Sequence, residues 1–103
     1  MKIAVTSKGK TMDSEVDPRF GRAAYILVVD SVTLSFEVLD NKENVNAFKG
    51  AGIQAAKMVS ETGADVLLTG YCGPNAFKAM KAAKIGVAND ATGAVREAVA
   101  AYG

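Results

Sequence analysis

The segment Asp17-Pro18-Arg19-Phe20-Gly21-Arg22 contains the residues with the clearest capacity for chemistry. It places two guanidinium groups, those of Arg19 and Arg22, on either side of the aromatic Phe20 and a glycine. Arginine is permanently charged and presents a planar array of N–H donors, so a close pair suits the binding of an anion. Such a pair is also typical of a solvated surface, and the hexapeptide by itself leaves both interpretations open.

A second group of candidates follows an apolar run that ends at Gly70. The turn Gly73-Pro74-Asn75 precedes a predicted helix, and proline suits the first helical turn. The backbone amides of Asn75, Ala76 and Phe77 would then open this helix, where negative charge is favoured, and Gly73 would allow close backbone approach. The alternative is an ordinary strand-to-helix turn with no ligand.

Composition limits the class of protein. The chain has 103 residues, half of them hydrophobic, which predicts one domain over residues 1–103 with its own core. The net charge of +1 argues against a general nucleic-acid surface and against a membrane-attracting field. A single cysteine, with neither a secretory leader nor an apolar run of membrane-spanning length, makes a cytoplasmic protein the expectation.

The hydrophobic pattern predicts five strands and three helices. Strands are expected at Ile3–Val5, Tyr25–Val29, Leu34–Val38, Val66–Gly70 and Ile85–Val87. Helices are expected around Gly52–Val59 with Gly63 as C-terminal cap, from Pro74 with Phe77, Met80 and Ala83 on one side, and over Val95–Tyr102 with Thr92 as N-cap. This order predicts a single α/β domain with a five-stranded mixed sheet.

The loops that leave the carboxyl ends of neighbouring parallel strands converge on one crevice, where ligands usually bind. Here these loops are Thr6–Gly9, which contains the candidate Ser7, together with Gly70–Asn75 and Asn89–Thr92. The arginine segment follows the first of them, so we expect an anion site at this edge of the sheet.

Three linked segments carry a resemblance to a known family. They are Ser14-Glu15-Val16-Asp17-Pro18-Arg19-Phe20-Gly21-Arg22-Ala23, Gly50-Ala51-Gly52-Ile53-Gln54-Ala55-Ala56 and Gly73-Pro74-Asn75-Ala76-Phe77. With these three segments in this order, the chain resembles the dinitrogenase iron-molybdenum cofactor biosynthesis family. The resemblance implies a ribonuclease H-like fold and a protein that binds, carries or inserts a molybdenum- or iron-sulfur cluster. One branch, the orange proteins, is associated with a molybdenum-copper sulfide cluster.

Such a cluster is a bulky anion whose metals already have sulfide ligands, so charge and hydrogen bonds can hold it. The predicted cofactor-binding residues are Ser7, Arg19, Phe20, Arg22, Cys72, Gly73, Asn75 and Ala76. Cys72 is also the candidate metal ligand, because thiolate is soft and a helix amino end stabilises it. Its alternative role is that of a small, partly buried hydrophobic residue. The cluster can be absent from the isolated protein, cluster-donor or acceptor proteins are the expected partners, and a monomer or weak dimer is expected.

The chain contains no histidine, although members of this family often carry one, including at the position of Arg19. This excludes a histidine-ligated cluster, and the ligand set for a conventional zinc or catalytic iron site is missing. An enzyme is not expected, because two-metal phosphoryl transfer needs clustered carboxylates and the first and fourth strands carry none. An adaptor domain that binds a small anion or a partner protein without a cluster remains the alternative.

Overall fold

The computed structural model describes residues 1–42 and 51–102. In these residues it contains β1 (Lys2–Ser7), β2 (Tyr25–Asp30), β3 (Phe36–Asp40), α1 (Ala51–Glu61), β4 (Val66–Leu68), α2 (Pro74–Ala82), β5 (Gly86–Ala88) and α3 (Val95–Tyr102). The sheet order is β3-β2-β1-β4-β5. Strand β2 is antiparallel to β1 and β3, whereas β1, β4 and β5 are parallel. The predicted five-stranded mixed sheet with three helices is confirmed, and the strand order fits a ribonuclease H-like topology.

The sheet is covered on both faces, which explains the nearly continuous apolar runs of β1, β2 and β4. Helices α1 and α2 cover one face, and α3 with the loop between β1 and β2 covers the other. The first core contains Ala4, Phe20, Ile26, Val28, Ala55, Ala56, Val59, Leu67, Cys72, Ala76 and Met80. The second contains Ile3, Val5, Met12, Val16, Leu27, Val29, Val66, Leu68, Val95, Ala98 and Val99.

Small residues let helices α1 and α2 approach each other closely. A Cβ atom added at Gly52 would lie 3.1 Å from the Cβ of Ala76, so the glycine permits this contact. Gly63 follows α1 with a φ of 77°, which confirms its predicted position beyond the end of the helix.

Three local predictions were wrong. Leu34 has a φ of 61° and lies in the turn before β3, so the strand begins only at Phe36. Phe77 is 44% exposed, because Ala76 and Met80 form the buried side of α2. Thr92 lies too far from α3 to cap it. The carboxylate of Glu97 instead accepts a hydrogen bond from the amide of Ala94 at 3.0 Å, just before the helix.

Among the described residues, no helix combines the length and the apolar character that crossing a membrane would require.

Candidate functional site

The arginine segment lies at the edge of the sheet where β1 and β4 end, and hydrogen bonds hold it there. The amide of Asp17 donates to the carbonyl of Thr6 at 2.9 Å, and the amide of Phe20 donates to the carbonyl of Tyr71 at 3.1 Å. The buried hydroxyl of Thr6 donates to the carbonyl of Asp17 at 2.7 Å and lies 2.9 Å from the hydroxyl of Thr69. The loop is therefore fixed to the carboxyl ends of two parallel strands.

A glycine at the end of β4 makes this attachment possible. A Cβ atom added at Gly70 would lie 2.5 Å from the Cα and 2.6 Å from the carbonyl oxygen of Pro18. Because both atoms belong to the backbone, a larger residue at Gly70 could be accommodated only if the arginine segment moved away. The close packing of these two loops explains the need for glycine at this position.

A cavity of about 260 Å³ lies between the arginine segment and helices α1 and α2. We call it the arginine cavity. It is lined by Phe20, Arg22, Gly52, Ile53, Gly73, Pro74, Asn75 and Ala76. Five of the predicted site residues, Phe20, Arg22, Gly73, Asn75 and Ala76, thus lie around one cavity.

The amino end of α2 contributes backbone donors to this cavity. Gly73 is the N-cap residue and provides no side-chain cap, and Pro74 has no amide hydrogen. The first helical hydrogen bond runs from the amide of Phe77 to the carbonyl of Gly73 at 2.8 Å, so the prediction that this amide is available to a ligand was wrong. The amides of Asn75 and Ala76 have no acceptor within residues 1–42 and 51–102. An anion in the cavity would meet both donors and the positive end of the helix dipole.

A tight turn after Phe20 presents Arg22 to the cavity. Phe20 is only 7% exposed and belongs to the core, so it anchors the segment. Gly21 adopts a φ of 89°, a conformation that favours glycine. The buried amide of Asn41 donates to the carbonyls of Gly21 and Ala23 at 3.3 and 2.8 Å. The exposed guanidinium of Arg22 therefore projects from a fixed backbone.

Three predicted residues, Ser7, Arg19 and Cys72, are absent from the lining of the arginine cavity. The side chain of Arg19 is 70% exposed, and its Nε lies 3.8 Å from Oδ1 of Asp17. The hydroxyl of Ser7 is fully buried, donates to the carbonyl of Gly9 at 2.7 Å and accepts from its amide at 3.2 Å. Ser7 thus shapes the loop after β1, and Arg19 lies outside the cavity.

Cys72 is a core residue. It is 6% exposed and packs in the cluster that contains Phe20 and Ala76. Its amide donates to Oδ1 of Asn89 at 3.0 Å, so this amide is already paired. Burial raises the pKa of the Cys72 thiol, which keeps it protonated at neutral pH. Since the thiolate is the metal-binding form, this placement favours the alternative role of a small buried hydrophobic residue.

Other cations near this edge contact neighbouring side chains. Nζ of Lys8 lies 2.6 Å from Oε1 of Glu15. The hydrogen bond from Lys8 lowers the pKa of Glu15, and the same bond raises the pKa of Lys8. Nζ of Lys10 and Nζ of Lys42 lie 5.5 and 4.9 Å from the centroid of the Tyr25 ring. Among the described residues that line the arginine cavity, Arg22 is the only basic one.

A second cavity, of about 500 Å³, lies at the same edge on the α3 side of the sheet. We call it the α3 cavity, and its lining includes the acidic residues Asp90 and Glu97. The amides at the start of α3 are already used. Val95 donates to the carbonyl of Ser14 at 2.9 Å, and Arg96 donates to the carbonyl of Met12 at 2.8 Å. This larger cavity is poorly suited to an anion.

Sequence reasoning missed three contributors to the site: Gly52 and Ile53, which line the arginine cavity, and Asn41, which fixes the turn before it. The segment containing Gly52 and Ile53 carried the family resemblance, which was a usable signal. Nothing in the sequence pairs Asn41 with Gly21, because this contact depends on β3 lying beside β2.

The described residues include no group of three or more histidine, cysteine, aspartate or glutamate side chains that could hold a metal ion. Between the arginine segment and α2, the structure offers N–H donors and positive charge. N–H donors and positive charge of this kind can bind an anion by hydrogen bonds to the atoms on its surface, with no direct bond to a metal.

Comparisons with known proteins agree with this geometry. The sequence matches the family described as dinitrogenase iron-molybdenum cofactor over residues 1–103. The apo form of the orange protein from Desulfovibrio gigas is 49% identical, with a TM-score of 0.95, over 98% of this chain and 85% of that one. A putative NifB protein from Thermotoga, of the DUF35 family, is 32% identical, with a TM-score of 0.84, over 98% of this chain and 85% of that one. No curated protein sequence matches.

Proposed function

This chain belongs to the dinitrogenase iron-molybdenum cofactor family, and we propose that it binds and carries a preformed molybdenum- or iron-sulfur cluster in the arginine cavity. The cluster is the cargo of the protein and undergoes no catalysed reaction there. We further propose that charge and hydrogen bonds hold the cluster. We also propose that the protein is cytoplasmic and is a monomer or weak dimer.

One observation carries this proposal: the uncapped amino end of α2 and Arg22 line the same cavity. The amides of Asn75 and Ala76 supply two directed donors, and Arg22 supplies charge and further donors. The sulfide atoms on the outside of a metal-sulfur cluster are acceptors that carry negative charge. Charge-assisted hydrogen bonds of this kind are about twice as strong as neutral ones.

The shape of the site is consistent with this cargo. A cavity of about 260 Å³ suits a compact ligand, and Phe20, Gly52 and Ile53 give it an apolar side. The orange protein, which is 49% identical, was described in an apo form, a term for a protein without its bound group. The protonated Cys72 lies in the core, so we assign no metal-sulfur bond to it.

Reconstitution tests the proposal. The purified chain is incubated anaerobically with tetrathiomolybdate and copper, or with an iron-sulfur donor, and then passed through gel filtration. We expect a coloured complex with a fixed ratio of metal to protein. If no cluster stays with the protein under any of these conditions, the carrier function is wrong.

Arginine variants locate the site. Arg22→Ala removes a guanidinium that contacts the cluster in this proposal, and it is expected to lower cluster affinity at least about tenfold. Hydrogen bonds to charged groups contribute about 1.5 to 3 kcal/mol, and about 1.4 kcal/mol corresponds to a factor of ten. Arg19→Ala should change it less than about twofold, because an exposed charge outside the cavity is screened. The matched control is Arg96→Ala, which removes another exposed arginine, whose Nε lies 3.2 Å from Oδ1 of Asp13. Equal retention by all three variants would exclude the arginine cavity.

The alternative function is an adaptor domain that binds a small anion without a cluster, because the same donors would serve a simple oxyanion. It predicts that molybdate or phosphate shifts the amide resonances of Asn75 and Ala76 while every cluster fails to bind. Retention of a cluster that protects these two amides would reject it.

A further inference from the structure

The positive charge of this chain is concentrated around helix α2. Between Gly70 and Ala88 the sequence contains Lys78, Lys81 and Lys84 and no acidic residue. The rest of the chain contains nine basic residues against eleven acidic ones. A protein with a net charge of +1 thus has one distinctly basic element in an otherwise slightly acidic molecule.

The three lysines contribute little that stabilises the fold. Their side chains are exposed and form no ion pair or hydrogen bond within residues 1–42 and 51–102. Lys78 and Lys81 are three residues apart on α2, a spacing at which like charges repel and destabilise a helix slightly. Of the three, Lys81 lies in the last helical turn, where its positive charge interacts favourably with the helix dipole.

An exposed aromatic residue, Phe77, lies next to Lys78 in the chain and one helical turn before Lys81. Phe77 is 44% exposed, and its amide closes the first turn of α2 onto Gly73 at 2.8 Å. Since Gly73 lines the cavity, Phe77 is one turn away from it. We call Phe77, Lys78, Lys81 and Lys84 the lysine face. An aromatic centre with charged neighbours is typical of protein interfaces.

We propose that the lysine face docks an acidic surface of a partner protein and so brings that partner next to the arginine cavity. Charge complementarity carries this inference, because the segment from Phe77 to Lys84 contains three cations and no carboxylate. The docking stands independently of the cargo. That the partner donates or accepts a cluster rests on the proposed function.

The structure favours a protein partner over a membrane or a nucleic acid. Helix α2 buries Ala76 and Met80 in the core and exposes Phe77 as its one large apolar side chain. One exposed aromatic ring is a much smaller apolar face than a helix that inserts into lipid presents. A nucleic-acid surface needs a broad basic field, usually with a strongly basic domain, whereas this chain has a pI of about 7.8. A short helix face is sufficient for a complementary acidic patch.

A titration of the ¹⁵N-labelled chain without cluster tests this proposal, with a short poly-L-glutamate peptide as the acidic probe. We expect amide shifts centred on Phe77 to Lys84 that disappear at high salt, because screening is strong beyond about 10 Å at 0.1 M. Shifts distributed over all exposed lysines, or tighter binding of duplex DNA or phosphatidylserine vesicles, would overturn it.

Charge-reversal variants separate docking from folding. The double variant K78E/K81E should bind the probe at least about tenfold more weakly, as expected for close charge pairs at an interface. The control K2E/K57E changes the net charge equally on other elements and should lose less than about twofold.

The single variant K78E provides an internal check, because the carboxylate that it introduces would pair with Lys81 and should leave the Tm unchanged or slightly raised. Weaker docking with an intact Tm supports the proposal, and unchanged docking in K78E/K81E contradicts it. Because no cluster is present, these results do not depend on the reconstitution.

Discussion

Helices α2 and α3 begin at the same edge of the sheet, yet their amino ends differ in what they offer a ligand. At α2, Gly73 gives no cap, and the amides of Asn75 and Ala76 have no acceptor in the described part of the chain. At α3, the amides of residues 94–96 are paired with Glu97, Ser14 and Met12. A helix dipole can therefore be presented to a ligand or used within the fold.

The cavities next to these helix ends differ in size and in the charge of their lining residues. The α3 cavity has about 500 Å³ and the arginine cavity about 260 Å³. The lining of the larger one includes the acidic residues Asp90 and Glu97, and that of the smaller one includes Arg22. The available donors and the sign of the charge favour the smaller cavity for an anion.

The largest effect is expected from Gly70→Ala, which would remove the arginine segment from its position. The new Cβ would lie 2.5 Å from the Cα of Pro18. Overpacking of this kind costs about 2 to 3 kcal/mol in the free energy of unfolding, measured by urea denaturation. The control Gly73→Ala meets no atom within 4 Å and should cost less than about 1 kcal/mol, the difference between glycine and alanine at an N-cap. Equal stability of both variants would show that the loop attachment is not needed.

The next largest effect is expected when a carboxylate is placed at the amino end of α2, as Glu97 is at the amino end of α3. Gly73 has extended N-cap geometry, with φ of −64° and ψ of 163°, so an aspartate there could accept from the amides of Asn75 and Ala76. Gly73→Asp should raise stability by a few tenths of a kcal/mol and lower cluster affinity at least about tenfold. Gly73→Asn, which caps without charge, should have a smaller effect on affinity. Full retention by Gly73→Asp would mean that the α2 amides do not contact the cargo.

Cys72→Ala tests whether the thiol beside the arginine cavity has more than a packing role. We expect a loss of about 1 kcal/mol from the small void and unchanged cluster retention. Loss of the cluster from the variant would instead support a role for Cys72 as a metal ligand.

The pH dependence provides a second measurement on Cys72. Burial raises the pKa of this thiol, so the stability that it contributes is fully present below the ordinary thiol pKa of about 8.5 and is lost as the pH rises through the folded-state pKa. The difference in urea midpoint between the wild type and Cys72→Ala should therefore shrink at alkaline pH. A constant difference would contradict the raised pKa.

The smallest effect is expected at the amino end of α3, whose amides are already paired within the fold. Glu97→Ala leaves the amide of Ala94 without its carboxylate acceptor and should cost about 0.5 to 1 kcal/mol. Anion binding in the arginine cavity should not change. Glu61→Ala, which removes an exposed carboxylate elsewhere, is the control for charge. A new anion site at α3 in Glu97→Ala would show that the capping carboxylate had blocked it.

Most of the fold could be predicted because its signals are local. The apolar runs of β1, β2 and β4 and the helix-ending Gly63 are readable in single segments. The errors concern positions whose state depends on neighbours. The spacing placed Phe77 on the same side of α2 as Met80, but contact between α2 and α1 requires a small residue, so Ala76 is buried next to Met80 and Phe77 is exposed.

The amino-acid sequence alone determines the order of the elements and the concentration of lysines on α2. It predicts that the arginine segment and the turn before α2 meet at one edge, because the loops after neighbouring parallel strands converge there, and β1 and β4 are indeed parallel neighbours in the sheet. Tertiary contacts are needed to show that Arg22 borders the cavity while Arg19 does not, that Cys72 is buried, and that the α3 end is closed. These outcomes depend on contacts between residues far apart in the chain, such as Pro18 with Gly70, and such contacts leave no pattern in either segment.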